Sequence, residues 1–102
     1  MGLNQVRVSQ SELADFCRRN GIRKLALFGS VLTERFSEAS DVDVLVEFEP
    51  SQQVGYLGMA RMERELSLLF GGRKIDLRTP AELSPYFRQE VVNSAAVQYV
   101  AE

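Results

Sequence analysis

Residues 27–50 read LFGSVLTERFSEASDVDVLVEFEP, and the second half of this stretch decides the fold. From position 41 the side chains alternate, with Val42, Val44, Val46 and Phe48 in one set and Asp41, Asp43, Leu45 and Glu47 in the other. A period of two belongs to a β-strand with one face in a core, so the pattern predicts a strand over 41–48. Its non-core side begins with two aspartates. Residues i and i+2 of a strand lie about 6.6 Å apart and point the same way. Two carboxylates that lean to about 4 Å repel by about 4 kcal/mol at an effective dielectric of 20. A divalent cation removes that cost. Short carboxylates offering only oxygen suit Mg²⁺ or Mn²⁺, which complete their shell with water and phosphate oxygens, and the implied ligand is a nucleoside triphosphate.

The first half of the stretch fits the same ligand. KLALF, residues 24–28, reads as a buried strand feeding Gly29-Ser30, with VLTERF as a short helix and SEAS as a loop. Glycine allows close backbone approach, and a helix starting at Ser30 would offer N–H groups and a hydroxyl to phosphate. Arg35 is a candidate for a charge-assisted contact. Further on, KIDLR (74–78) alternates again, with Ile75 and Leu77 set against Lys74, Asp76 and Arg78. If this third strand lies beside the second, about 4.8 Å away, Asp76 supplies a third carboxylate. Three carboxylates can hold two metals, one at the attacking hydroxyl and one at the leaving pyrophosphate.

Ser9 and Glu12 form a capping-box pattern ahead of a helix over 10–19, stopped by Asn20-Gly21. Met59, Met62, Leu66 and Leu69 recur at helical spacing before Gly71-Gly72 and read as core. Thr79-Pro80-Ala81-Glu82 and Ser84-Pro85 are helix-start signals, and the pattern predicts a last helix over 85–100. Helix, strand, short helix, strand, helix, strand and helix make an α/β chain with a small sheet. Strand order is not readable from the pattern. Tyr86, Phe87, Val91, Val92, Val97 and Tyr99 on the last helix read first as core, and second as part of a partner interface.

A chain of 102 residues supports one core, hence one domain over 1–102. With no histidine, Ser-His and Cys-His catalysis and His-containing zinc sites are excluded, so any chemistry falls to carboxylates. Cys17 is the only cysteine, which excludes an internal disulfide; beside Leu13 and Phe16 it reads as core. A net charge of −2 argues against strong nucleic-acid binding, while ten arginines against two lysines suit local anion contacts. No segment has the length of a membrane span and the N-terminus lacks an export signal, so a cytoplasmic location is expected.

Taken together, KLALFGS, SDVDVLVEFEP, ELSLLFGGRKIDLRTP and LSPYFRQEVV resemble the minimal nucleotidyltransferase (MNT) family of the DNA polymerase β superfamily, over nearly the whole chain. The signature is GS, ten residues, then DxD, carried by Gly29, Ser30, Asp41 and Asp43, with the family's third carboxylate at Asp76. The resemblance implies an α+β, polymerase β palm-like fold: a three- to four-stranded mixed sheet with helices mainly on one face. It implies that Ser30 contacts triphosphate, that Asp41 and Asp43 bind two Mg²⁺ ions (or Mn²⁺), and that Asp76 completes the site and activates the acceptor hydroxyl. Many relatives carry arginines right after the GS, where this chain reads VLTERF, which leaves Arg35 as the candidate. Members of this length often act as antitoxins of a HEPN-domain ribonuclease encoded nearby, in complex with it, transferring AMP from ATP to its tyrosine. Two other functions remain open on the same residues: a non-catalytic antitoxin that neutralises by contact, and a nucleotidyltransferase for a small molecule of the aminoglycoside type.

Overall fold

The computed structural model describes residues 7–33, 37 and 40–101. Helix α1 (Gln10–Arg19) starts where expected, with the Glu12 N–H donating to Ser9 Oγ at 3.3 Å. Its apolar side, Leu13, Phe16 and Cys17, is fully buried. The chain turns at Asn20, whose side-chain amide donates to the Phe16 carbonyl at 2.9 Å, and enters β1 (Ile22–Phe28). A 3-10 turn, Gly29–Leu32, follows. Of the helix expected for VLTERF, Val31 and Leu32 fall in this turn and Thr33 ends it in extended backbone; Glu34, Arg35 and Phe36 lie outside the described residues.

Strand β2 (Val42–Phe48) pairs antiparallel with β1, so that Leu27 faces Val44 and Phe28 faces Asp43. Helix α2 (Tyr56–Leu69) then crosses over to β3 (Ile75–Arg78), which pairs with β2 in parallel. Gly71 and Gly72, both at positive φ, reverse the chain after α2, and the Gly72 N–H returns to the Ser67 carbonyl at 2.7 Å. The crossover is pinned by Glu63, whose carboxylate accepts the Leu77 N–H at 2.9 Å on the outer edge of β3. An otherwise open sheet edge is thus partly satisfied by a side chain.

The expected last helix over 85–100 is a correction. Helix α3 covers only Arg88–Ser94, and Ala96–Val100 form a fourth strand, β4, antiparallel to β1. AVQYV has no period that separates strand from helix, and its Val and Tyr residues suit a pleated surface. The unpaired edge of β1 decides between them, because each backbone group there needs a partner. The mixed sheet has the order β3-β2-β1-β4.

One face of the sheet carries the core. Leu25, Leu27, Val42, Val44, Val46, Ile75 and Leu77 pack against α1 and against Met62 and Leu66 of α2. Each such side chain contributes about 1.5–3 kcal/mol by leaving water. Within this core, burial pushes the Cys17 thiol up to about 12. Cys17 is therefore expected to resist a thiol reagent at neutral pH until the protein unfolds; rapid labelling of the native protein would contradict this packing.

On the other face Leu45 and Ala26 are buried partners across β2 and β1, and the Pro80–Glu82 turn packs against β2. That turn carries the expected capping box, Thr79 with Glu82. Arg88 ties α3 to it, donating to the carbonyls of Pro80, Ala81 and Leu83 at 2.8–3.2 Å. Tyr86 and Phe87, read first as core, are 91% and 60% exposed, whereas Tyr99 packs against the core from β4. Among the described residues no helix is long and apolar enough to cross a membrane.

Candidate active site

Because Val42 and Val44 point into the core, Asp43 between them points out of the opposite face. Parallel pairing sets Asp43 directly beside Asp76, so the two carboxylates share one patch of the sheet. Asp43 also faces the turn, where the Ser30 backbone N–H favours its charged form. Gly29 makes this approach possible. It sits at φ 75°, and a Cβ there would fall on Asp43 Oδ2. Glycine is thus required twice, for conformation and for space.

Burial, and then the charge of Asp76, push the Asp43 carboxyl above the usual carboxylate range; the Ser30 N–H opposes this, Asp41 adds to it, and Arg78 opposes it more weakly. Asp41 stands just before β2. The Val42 N–H donates to the Lys74 carbonyl at 2.9 Å, and Lys74 Nζ lies 4.0 Å from Asp41 Oδ2. Arg78 Nε donates to Asp76 Oδ2 at 3.3 Å. Each flanking aspartate is thus drawn to a cation of the β3 segment. In this arrangement no group of three acidic side chains among the described residues closes into a metal cage.

The donor set nevertheless fits a divalent cation. All its ligands are carboxylate oxygens, and the mutual repulsion of Asp43 and Asp76 is what such an ion relieves. Of the residues singled out in the sequence, Gly29, Ser30, Asp43 and Asp76 come together, and Asp41 borders them.

Sequence reasoning missed a groove of about 740 Å³ beside the glycine-serine turn, lined by Phe28, Leu32, Leu83, Phe87 and Val91, with Glu90 also facing it. Its walls come from segments far apart in the chain, so no local spacing marks it; only the 60% exposure of Phe87 singles it out. Neither this groove nor a second one, about 580 Å³ beside α2, is lined by any of the three aspartates; the first reaches the site through Gly29.

Comparisons with known proteins show what the chain and its fold are similar to. "Putative protein adenylyltransferase MJ0435" of Methanocaldococcus jannaschii is 25% identical over 95 residues, covering 93% of this chain and 96% of that protein. A solved "putative minimal nucleotidyltransferase" superposes with a TM-score of 0.68 at 31% identity, over 84% of this chain and 85% of the other. Two toxin-antitoxin structures share the fold at lower identity. One, solved with AMP-PNP, has a TM-score of 0.71 at 18% identity, over 93% of this chain and 76% of the other. In the other, a tri-AMPylated Shewanella oneidensis HEPN toxin is in complex with an MNT antitoxin; its TM-score is 0.63 at 17% identity, over 99% of this chain and 74% of the other. The family model for the nucleotidyltransferase domain matches residues 11–97. That match runs from the second residue of α1 into β4, and the chain belongs to the nucleotidyltransferase-domain family.

Proposed function

We propose that this chain transfers AMP from ATP to a tyrosine hydroxyl of a HEPN-domain ribonuclease toxin and so serves as its antitoxin. The observation that carries the reading is the register of Asp43 beside Asp76, with no side chain at Gly29 to intervene. The protein adenylyltransferase name of the Methanocaldococcus relative, the AMP-PNP in one fold relative and the AMPylated toxin in another support it.

In this reading Asp41 and Asp43 would hold two Mg²⁺ ions, or Mn²⁺, and Asp76 would complete the ligand set. Bound there, such ions would offset the triphosphate charge and lower the pKa of the acceptor hydroxyl. Gly29 and the Ser30 hydroxyl border the triphosphate, with Arg35 a further candidate. The acceptor oxygen bonds to the α-phosphorus, the bond to pyrophosphate breaks, and the hydroxyl proton passes to Asp76. The groove at Phe28, Leu32 and Phe87 opens beside the turn and gives the adenosine moiety an apolar bed. Lys74 and Arg78 lie 4.0 Å and 3.3 Å from Asp41 and Asp76 and offset their charge before metals bind.

Asp76→Asn tests the reading. It is expected to lower transfer to the toxin by about 100-fold or more, with an unchanged circular dichroism spectrum, and to abolish protection of cells expressing the toxin. A variant that still protects like wild type would show neutralisation by contact alone and overturn the catalytic reading.

A further inference from the structure

Lys74, Asp76 and Arg78 alternate along the β3 segment, so charges of both signs share one face with Asp43. Arg78 lies opposite Leu45, two register positions beyond the Asp43-Asp76 pair and on the same face. Its Nε holds Asp76 Oδ2 at 3.3 Å with the guanidinium side chain 45% exposed, and its charge is also felt at Asp43. Lys74 is more loosely placed, 80% exposed and 4.0 Å from Asp41. The segment that borders phosphate in the reading above, Gly29 to Thr33, contains no cation. Among the described residues, then, the cation best held at the carboxylate pair is Arg78.

A divalent ion and a guanidinium compete for the same carboxylate oxygen. When the ion takes Asp76, the displaced guanidinium remains beside the pair with its remaining N–H donors directed by a planar fork suited to phosphate. We propose that Arg78 is a displaceable counter-ion: it holds Asp76 in the nucleotide-free protein and turns to the phosphate oxygens of a nucleoside triphosphate once a divalent cation occupies that carboxylate. This rests on the transferase reading above and extends it to the order of events. Metal and nucleotide then bind cooperatively, because each favours the arrangement that the other requires.

The test uses Mn²⁺ as the probe. Its affinity for the nucleotide-free chain is measured by calorimetry, and the KM for ATP is then measured with Mg²⁺ and the partner toxin. In Arg78→Met the competitor is gone, so Mn²⁺ affinity is expected to tighten about 2- to 5-fold, while the KM for ATP rises about tenfold. Arg78→Lys keeps the charge and is expected to return Mn²⁺ affinity to the wild-type value while recovering part of the KM. A role limited to stabilising the strand would not move these two quantities in opposite senses. Unchanged or weaker Mn²⁺ binding in Arg78→Met, or an unchanged KM, would overturn the inference while leaving the transferase reading intact. A wild-type chain that binds no Mn²⁺ would remove both.

Discussion

Asp43→Asn is expected to lower nucleotidyl transfer by about 1,000-fold and, in the same protein without metal, to raise the melting temperature at pH 7. Both effects have one origin. Asp43 is half-buried and set beside Asp76, so its charge costs energy in the fold that it does not cost in the unfolded chain. The native state therefore holds the Asp43 proton more tightly than the unfolded state does. Stability falls as pH rises from the ordinary carboxylate value through the raised native one, and the full deficit persists above it. Asparagine keeps the shape, but it carries no charge to repel Asp76 and supplies no anionic ligand to a metal. The gain in melting temperature should shrink towards zero at about pH 3, where the Asp43 carboxyl is protonated in the native and the unfolded state. Thermal unfolding followed by circular dichroism at the two pH values checks the sign. A variant less stable than wild type at pH 7 would mean that the pair is not repulsive.

Gly29→Ala should produce the opposite stability change together with a similar loss of function. At φ 75° an L-residue is strained by about 1–2 kcal/mol, and the added methyl would collide with Asp43 Oδ2. The turn or the aspartate has to shift, and a displacement of about 1 Å at a reacting centre can cost about 100-fold in rate. The expected result is a lower melting temperature and transfer reduced by about 100-fold. Wild-type activity in Gly29→Ala would show that the contact between turn and aspartate does not shape the site. The two substitutions separate the demands on this corner: one stabilises and inactivates, the other destabilises and inactivates.

The aspartates were legible in the sequence because a period of two leaves no choice of face: once Val42, Val44, Ile75 and Leu77 are core, Asp43 and Asp76 must point the other way. Helix α1 was legible from Ser9, Glu12 and Asn20-Gly21, all of them local signals. That Asp43 meets Asp76 was legible only as a condition on strand order and through the family resemblance, because their register depends on the parallel crossover through α2, which involves residues far apart in the chain. β4 was misread for a related reason. The edge of β1 selects strand for Ala96–Val100, and no residue within that segment announces it. The groove at Phe87 and the bond from Arg78 to Asp76 likewise depend on tertiary placement; in the sequence Arg78 was only the polar end of an alternating run.

The central claim, that the paired carboxylates serve AMP transfer to a protein, is met most directly by intact-mass spectrometry of the partner toxin. The toxin is incubated with this chain, Mg²⁺ and each of the four nucleoside triphosphates, with Asp43→Asn as the parallel sample. The account predicts a gain of one or more whole adenylyl groups with ATP and no gain with Asp43→Asn. An unmodified toxin held in a stable complex with the wild-type chain would contradict it.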